Sequence, residues 1–159
     1  MNAISTVAHQ FKGAVYDAAV TLWATTHPSM LVSYGPPGAN VPEDVFMVLG
    51  IESNLEPAAI GPQRQREETL TLETQFWIFR PGVEGAERDA NDFLYARLGE
   101  LEQYLRVTDT TLGGLVRECK LARHRSDTIE AERAAVEGVG RLAVAIAEFE
   151  AKVRIRQTP

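Results

Sequence analysis

The side chains with the most obvious chemistry in this chain are its single cysteine, three histidines and a group of glutamates. Cys119 has Arg117, Lys120 and Arg123 close in sequence, and nearby cations can lower the pKa of a thiol and make it nucleophilic. On a strand, however, neighbours in sequence point to the opposite face. We therefore favour a small buried residue over a nucleophile as the interpretation of Cys119, because no histidine partner is placed beside it by the sequence.

The histidines give no clear metal site. His9, His27 and His124 lie far apart, and none has a second histidine or a carboxylate at ligand spacing except His124 with Asp127. One such pair is a weak indication of a metal. We expect three surface histidines, no bound metal and no other cofactor.

Two further patterns resemble functional motifs only in part. Glu67, Glu68 and Glu73 are candidates for paired acid–base carboxylates, but solvated charges on a strand are the better interpretation. The loop Gly35-Pro-Pro-Gly-Ala-Asn follows a strand, where a phosphate loop would lie. It lacks the lysine and the Ser/Thr of such a loop, and proline removes amide donors, so it indicates a turn. The sequence therefore predicts a protein that is not an enzyme.

Composition points to a globular protein with an uneven charge. The 159 residues carry a formal charge of -6, which is unfavourable for general nucleic-acid binding, yet residues 111–159 are net basic. The lone cysteine excludes an internal disulfide. The N-terminal segment lacks the pattern of a signal peptide, and no apolar run reaches the roughly 18 residues of a membrane span. We expect one domain over residues 1–159, made in a cytoplasm and not bound to a membrane.

The clearest element is a strand over residues 67–79. Its residues alternate between two faces, with Leu70, Leu72, Thr74, Phe76 and Ile78 on one of them. The opposite face is polar at one end and aromatic at the other, where Trp77 and Phe79 lie. Exposed aromatic residues on a sheet face usually need a partner, although a second core layer is the alternative for this pair.

The other elements follow from periodicity and from turn residues. Residues 140–155 favour a long strand or strand pair, in which a change of phase indicates a β-bulge; a helix over 140–152 is the alternative. Residues 123–139 are compatible with either a short helix or an extended insertion. The remaining predicted elements are helices over 3–25 and 84–106, strands over 31–34, 44–51 and 115–122, and a long loop over 53–66.

This order predicts an α+β fold with a mostly antiparallel sheet of four or five strands and two main helices packed on one face. Two helices cannot cover both faces, so a second subunit is the simplest cover for the other face. Basic side chains near the C-terminal strands either protect the sheet edges or contact an acidic neighbour. The predicted interface residues are Trp77, Phe79, Arg117, Lys120, Lys152, Arg154 and Arg156.

Several segments together resemble a known family. They are Glu-Thr-Leu-Thr-Leu-Glu-Thr-Gln-Phe-Trp-Ile at 68–78, Ala-Asn-Asp-Phe-Leu-Tyr-Ala-Arg-Leu-Gly at 90–99, the Leu112-Gly113-Gly114 turn, and Leu-Ala-Val-Ala-Ile-Ala-Glu-Phe-Glu-Ala at 142–151. The pattern, from about residue 3 to residue 156, resembles the tail terminator (minor tail, or tail completion) proteins of long-tailed phages and related gene transfer agents.

The resemblance implies a structural protein of the virion tail that is assembled in the host cytoplasm. Such a protein would form a homohexameric ring that contacts the tail tube protein on one side and the head connector or head completion protein on the other. DNA would pass through the lumen without specific binding. A head–tail joining (neck) protein is the nearest alternative, and a small-ligand-binding α+β module with residues 53–66 as a lid is a more distant one.

Overall fold

The computed structural model describes residues 6–58, 65–82, 84–126 and 140–156. Within these ranges lies one mixed, mostly antiparallel sheet of order β1-β2-β3-β5-β4, in which only β1 and β2 are parallel. The α+β class predicted from the sequence is confirmed. The elements are α1 (Ala8–Trp23), β1 (Leu31–Tyr34), β2 (Asp44–Pro57), β3 (Gln65–Pro81), α2 (Ala86–Gln103), a π-helical turn (Tyr104–Thr108), β4 (Glu118–Ser126) and β5 (Gly140–Arg156).

Both helices pack on the same face of the sheet, as predicted. The apolar face of β3 is fully buried there and belongs to one cluster with the buried stripes of α1 and α2. Trp23 of α1 contacts Phe46 of β2 and Phe76 of β3 edge to face, with ring centroids 5.3 and 6.1 Å apart. The alternation of β3 therefore determines which face of the sheet receives the helices.

The predicted long loop over 53–66 is wrong at its two ends, where Ser53–Pro57 and Gln65–Arg66 are strand. Ser53–Pro57 continue β2 and pair with the start of β3, from Ser53 opposite Leu70 to Pro57 opposite Arg66, while residues 59–64 lie outside the described ranges. Side chains of β2 from Glu52 to Pro57 are exposed. Since little of this part of β2 is buried, its strand structure leaves no apolar alternation in the sequence.

The prediction for the last strand is correct in type and wrong in detail. β5 is one strand of 17 residues, so the helical alternative for 140–152 is excluded. Its register with β3 is continuous from Gly140 opposite Pro81 to Arg156 opposite Gln65, and the predicted bulge is absent from this pairing. The apparent change of phase arises because small alanines face the helices while larger aliphatic residues occupy the other face of the same strand.

β4 begins three residues later than predicted and extends to Ser126. The predicted turn, with Leu112, Gly113 and Gly114 at positive φ, extends further than expected. The Leu115 and Val116 amides donate hydrogen bonds of 3.4 and 3.0 Å back to the carbonyls of Leu112 and Thr111. The first residues of the ambiguous stretch 123–139 are thus strand, and residues 127–139 lie outside the described ranges. Actual register shifts occur in β2 between Val48 and Ile51 and in β4 between Leu121 and Arg123.

Candidate interface on the second face of the sheet

The face of the sheet opposite the helices, called here the second face, divides into an apolar end and a charged end. Cross-strand pairs of β3 and β5 define both: Phe79 opposite Leu142 and Trp77 opposite Val144 at one end, and Glu73 opposite Glu148 where charge begins. Side chains of such pairs lie side by side on one face. The predicted interface residues of β3 and β5 therefore share one surface but lie at its two ends.

The apolar end is largely buried within a single copy of the chain. Val45, Met47, Val144 and Ile146 are 1%, 2%, 3% and 8% exposed, although none belongs to the cluster under the helices. Cover by a second subunit, expected from the sequence, is therefore not required for these four side chains. This finding removes one of the arguments from sequence for an assembly.

Trp77 and Phe79 are half-buried, so the prediction of an exposed aromatic pair is wrong. The Phe79 ring lies against Gly140 of β5: a Cβ added to Gly140 would be 2.4 Å from Cζ of the ring. Trp77 donates a hydrogen bond of 3.2 Å from Nε1 to Oε1 of Gln75. Phe79 thus has a packing role within the chain, while an interface role for either residue stays a prediction.

The charged end is a set of ion pairs between side chains from different segments of the sheet region. Arg117 contacts Glu67 at 3.0 Å, and Lys120 of β4 contacts Glu150 of β5 at 3.6 Å. These two predicted interface residues therefore already have acidic partners within the chain, although more than half of each side chain remains exposed. Of the other three, Lys152 and Arg154 are half-buried on β5 between these pairs, and Arg156 is the last residue of that strand.

Arg123 forms the best-defined pair of this surface. Its Nε and one terminal nitrogen donate hydrogen bonds of 2.7 and 2.6 Å to the two carboxylate oxygens of Glu148, across the register shift in β4. This bidentate hydrogen bond, together with the charge of Arg123, holds the pKa of Glu148 below its ordinary value. Glu52 and Glu73 also lie near the guanidinium and border the same shallow concavity.

We expect the variant Arg123→Ala to raise the pKa of Glu148 towards its ordinary value. A carboxylate whose pKa is lowered by folding stabilises the fold above its unfolded pKa, and this contribution is lost as pH falls through the folded pKa. The variant should therefore lose less stability on acidification than the wild type. Carboxyl NMR titration measures the pKa, with Arg88→Ala, whose partner Asp92 is exposed, as the control. An unchanged Glu148 titration would contradict the assigned cause.

The most reactive side chain of this chain, the Cys119 thiol, is packed in the core. Cys119 is 3% exposed and belongs to the cluster beneath the helices, where burial raises the pKa of its thiol to about 12. The interpretation as a small buried residue agrees with this position. A raised pKa leaves almost no thiolate at neutral pH, so the nucleophilic alternative loses its chemical basis.

The native thiol should be inert. With a pKa of about 12 in place of 9.0, Cys119 holds roughly a thousandfold less thiolate at pH 8 than a free thiol, and it is also inaccessible. We expect an aromatic disulfide reagent to react only after unfolding in guanidinium, at the rate of free cysteine. Fast labelling of the folded chain would show that the thiol is exposed.

The three glutamates considered for acid–base chemistry do not converge. Glu67 and Glu73 lie on the second face, whereas Glu68 is 0% exposed on the helix face, so its assignment as a solvated charge is wrong. It accepts hydrogen bonds from the Thr6 hydroxyl, from the Val7 amide at 3.1 Å and from Ser53 Oγ at 2.5 Å. The signal was present in the sequence, because Glu68 shares the alternation of Leu70 and Leu72.

The buried carboxylate of Glu68 therefore anchors the N-terminus of α1. First-turn amides of a helix lack partners within the helix, and its positive end favours an acid. The carboxylate lies at the Val7 amide, directly before Ala8, and also holds β2 through Ser53. This arrangement is structural rather than catalytic.

One histidine is also misassigned as a surface residue. His27 is half-buried: its Nδ1 is 3.3 Å from a terminal nitrogen of Arg97, and its ring meets Phe93 edge to face. His9 and His124 are exposed, as predicted. Among the described residues, no group of three or more His, Cys, Asp or Glu side chains is arranged to hold a metal ion. The turn after β1 is confirmed, with Gly35 at positive φ.

A shallow groove of about 270 Å³ lies between α1 and β1, slightly below the volumes of roughly 300–1,000 Å³ typical of small-ligand sites. Within the described ranges, no helix is both long and apolar enough to cross a membrane. Searches of protein-family models and of curated proteins gave no match to this chain.

Proposed function

We propose that this protein is a structural component of a phage tail, a tail terminator that forms a hexameric ring at the end of the tail tube and joins it to the head connector. The observation that carries the proposal is the charged end of the second face, which lies on the long strands β3 and β5 away from both described helices. Arg117, Lys120 and Arg123 each keep more than half of their side chain exposed there. The α+β fold agrees with the segments that resemble this family.

The roles of the reactive side chains also support a structural function. Cys119 is a core residue and Glu68 anchors a helix. On the second face, Arg117, Lys120 and Arg123 form ion pairs with Glu67, Glu150 and Glu148. An exposed charged surface of this kind suits contact with a partner of complementary charge.

A head–tail joining protein is the nearest alternative, because it would use the same kind of surface at the adjacent ring. The ligand-binding alternative has less support, since much of the segment expected to act as a lid is strand. The groove between α1 and β1 has about 270 Å³, which is less than small-ligand sites usually have.

The direct test of function is a tube-growth assay. A tail-tube protein from the same source as this chain would be polymerised with and without the purified chain and viewed by electron microscopy. We expect the chain to shorten the tubes and to appear as a ring at one end only. Tubes of unchanged length, with the chain unbound, would contradict the proposal. Binding to the head connector but not to tubes would identify the head–tail joining role instead.

Trp77 offers a cleaner test of the predicted interface than Phe79, because the Phe79 ring packs on Gly140. If Trp77 belongs to the interface, Trp77→Glu should abolish ring assembly and leave a folded monomer, since a buried unpaired charge opposes association. Analytical ultracentrifugation and far-UV circular dichroism measure the two properties. A variant that still forms rings would exclude Trp77 from the interface.

A further inference from the structure

We propose that copies of this chain associate head to tail through two oppositely charged edges of the sheet. The acidic edge is the part of β2 beyond its register shift, which carries Glu52 and Glu56. The basic edge is β4, which carries Lys120, Arg123 and Arg125. The occupant of each edge is therefore the opposite edge of a second copy.

The acidic edge is open because β1 is short. β1 pairs with β2 only from Val45 to Val48, so no strand of the described ranges lies beside β2 from Ile51 onwards. All side chains from Glu52 to Pro57 are exposed. Glu52 and Glu56 lie opposite Thr71 and Glu67 of β3, which places both on the second face.

The basic edge is the opposite border of the same sheet. Among the described residues, β4 pairs only with β5, and Lys120, Arg123 and Arg125 are all exposed. Two of these cations have internal partners, at 3.6 Å for Lys120 and 2.6 Å for Arg123, and the Arg123 guanidinium also lies near Glu52 of the same copy. Arg125 and the exposed part of Lys120 are therefore the cations of this edge that a second copy would contact. Glu118 reduces the charge of this edge, but cations outnumber it.

The two edges match in height. Glu52 lies opposite Thr71, Thr71 opposite Glu150, and Glu150 opposite Lys120. Glu52 and Lys120 are therefore the two ends of one row of cross-strand neighbours. A rotation about an axis along the strands keeps each row at its height. It would therefore bring Glu52 of one copy towards Lys120 of the next.

The two edges also match in direction. β2 is antiparallel to β3, β3 to β5, and β5 to β4, so β2 and β4 run in opposite directions. Side by side in neighbouring copies, they would form an antiparallel pair, the more favourable geometry for a short strand contact.

Charge selects this pairing over the alternatives. Two acidic edges repel each other, and so do two basic edges, which opposes a two-fold dimer through either edge. Charged residues on a free edge normally prevent pairing with another strand. When the partner edge carries the opposite charge, the same residues favour pairing with that edge over any other. Only the heterologous contact remains, and repeated heterologous contacts produce rings or filaments.

Paired charge-reversal variants test this inference. Variant A carries Glu52→Lys and Glu56→Lys; variant B carries Lys120→Glu and Arg125→Glu. Each alone places like charges across the contact, so we expect its dissociation constant to rise about a hundredfold or more. An equimolar mixture should assemble again, because each edge of A complements the opposite edge of B. Alternation of A and B closes only rings with an even number of copies.

The matched control reverses two exposed charges of α2 (Glu87→Lys with Arg88→Glu) and should assemble as the wild type does. Circular dichroism establishes that A and B fold. Wild-type assembly by either variant alone, or no assembly in the mixture of folded variants, would overturn the inference, and so would a wild-type chain that stays monomeric at high micromolar concentration.

The inference rests on the proposed function only for the number of copies. Restored assembly without any effect on tail-tube growth would refute the terminator role and leave the edge pairing intact. Tube capping by variant A alone would refute the edge pairing and leave the terminator role intact.

Discussion

Glu68→Ala is expected to lower the free energy of unfolding by about 3 kcal/mol, because breaking a buried charged interaction leaves its partners unsatisfied. The substitution leaves the Val7 amide, the Thr6 hydroxyl and the Ser53 hydroxyl without their shared acceptor. It also removes the acid from the N-terminus of α1. The effect should be large even though Glu68 lies in a row of polar strand residues.

Denaturation in urea measures this loss, with Glu67→Ala as the matched control. Glu67 is the preceding residue, lies on the second face and pairs with the exposed side chain of Arg117, so its removal should cost less than about 1 kcal/mol. Hydrogen exchange at the start of α1 should rise in the Glu68 variant alone. Equal losses in both variants would contradict the anchoring role of Glu68.

Gly140→Ala is the second substitution with a large expected effect. The new Cβ would lie 2.4 Å from Phe79 Cζ and 2.5 Å from the backbone oxygen of Arg80. The ring can move, but the backbone carbonyl belongs to the β3–β5 pairing, so we expect a loss near 3 kcal/mol, at the upper end for overpacking.

Two further variants isolate the cause of this loss. Gly99→Ala lies in α2 with nothing within 4 Å of the new Cβ, and it should stabilise the chain by roughly 0.5–1 kcal/mol. Adding Phe79→Ala to Gly140→Ala should recover part of the loss, and urea denaturation of the double-mutant cycle measures the coupling. Additive effects in that cycle would show that the ring and Gly140 are not in contact.

Most of the fold could be predicted from the local alternation of apolar and polar residues. In β3, Leu70, Leu72, Thr74, Phe76 and Ile78 occupy every second position, and the structure buries all five on the helix face. The same rule, extended by one step, would have placed Glu68 in the interior. Its charge favoured a solvent-exposed assignment, and only the tertiary contact with α1 shows what compensates for its burial.

The errors concern segments whose structure depends on neighbours. Residues 53–57 lack apolar alternation because they are exposed, and their strand conformation depends on pairing with β3. In β5, aliphatic residues on both faces looked like a change of phase. The alanines at 143, 145 and 147 face the helices, and the larger side chains occupy a second buried layer that no local pattern reveals.

The charged surface that we propose as an interface could be predicted from sequence only in outline. Basic residues near the C-terminal strands were recognised, but their partners Glu67, Glu148 and Glu150 become neighbours only through strand register. Most of the acidic edge of β2, including Glu56, lies in the segment 53–66 that was predicted as a loop, so its strand pairing was not expected. Sheet order and register are therefore what convert scattered charges into two opposed edges.

Native mass spectrometry with electron microscopy of the purified protein decides whether this chain closes into the proposed ring of six. We expect particles with the mass of six 17.5 kDa chains and six-fold views with a central hole, at ionic strengths that leave charge contacts unscreened. Particles of one chain only, or two-fold dimers at every protein and salt concentration, would contradict the proposed ring.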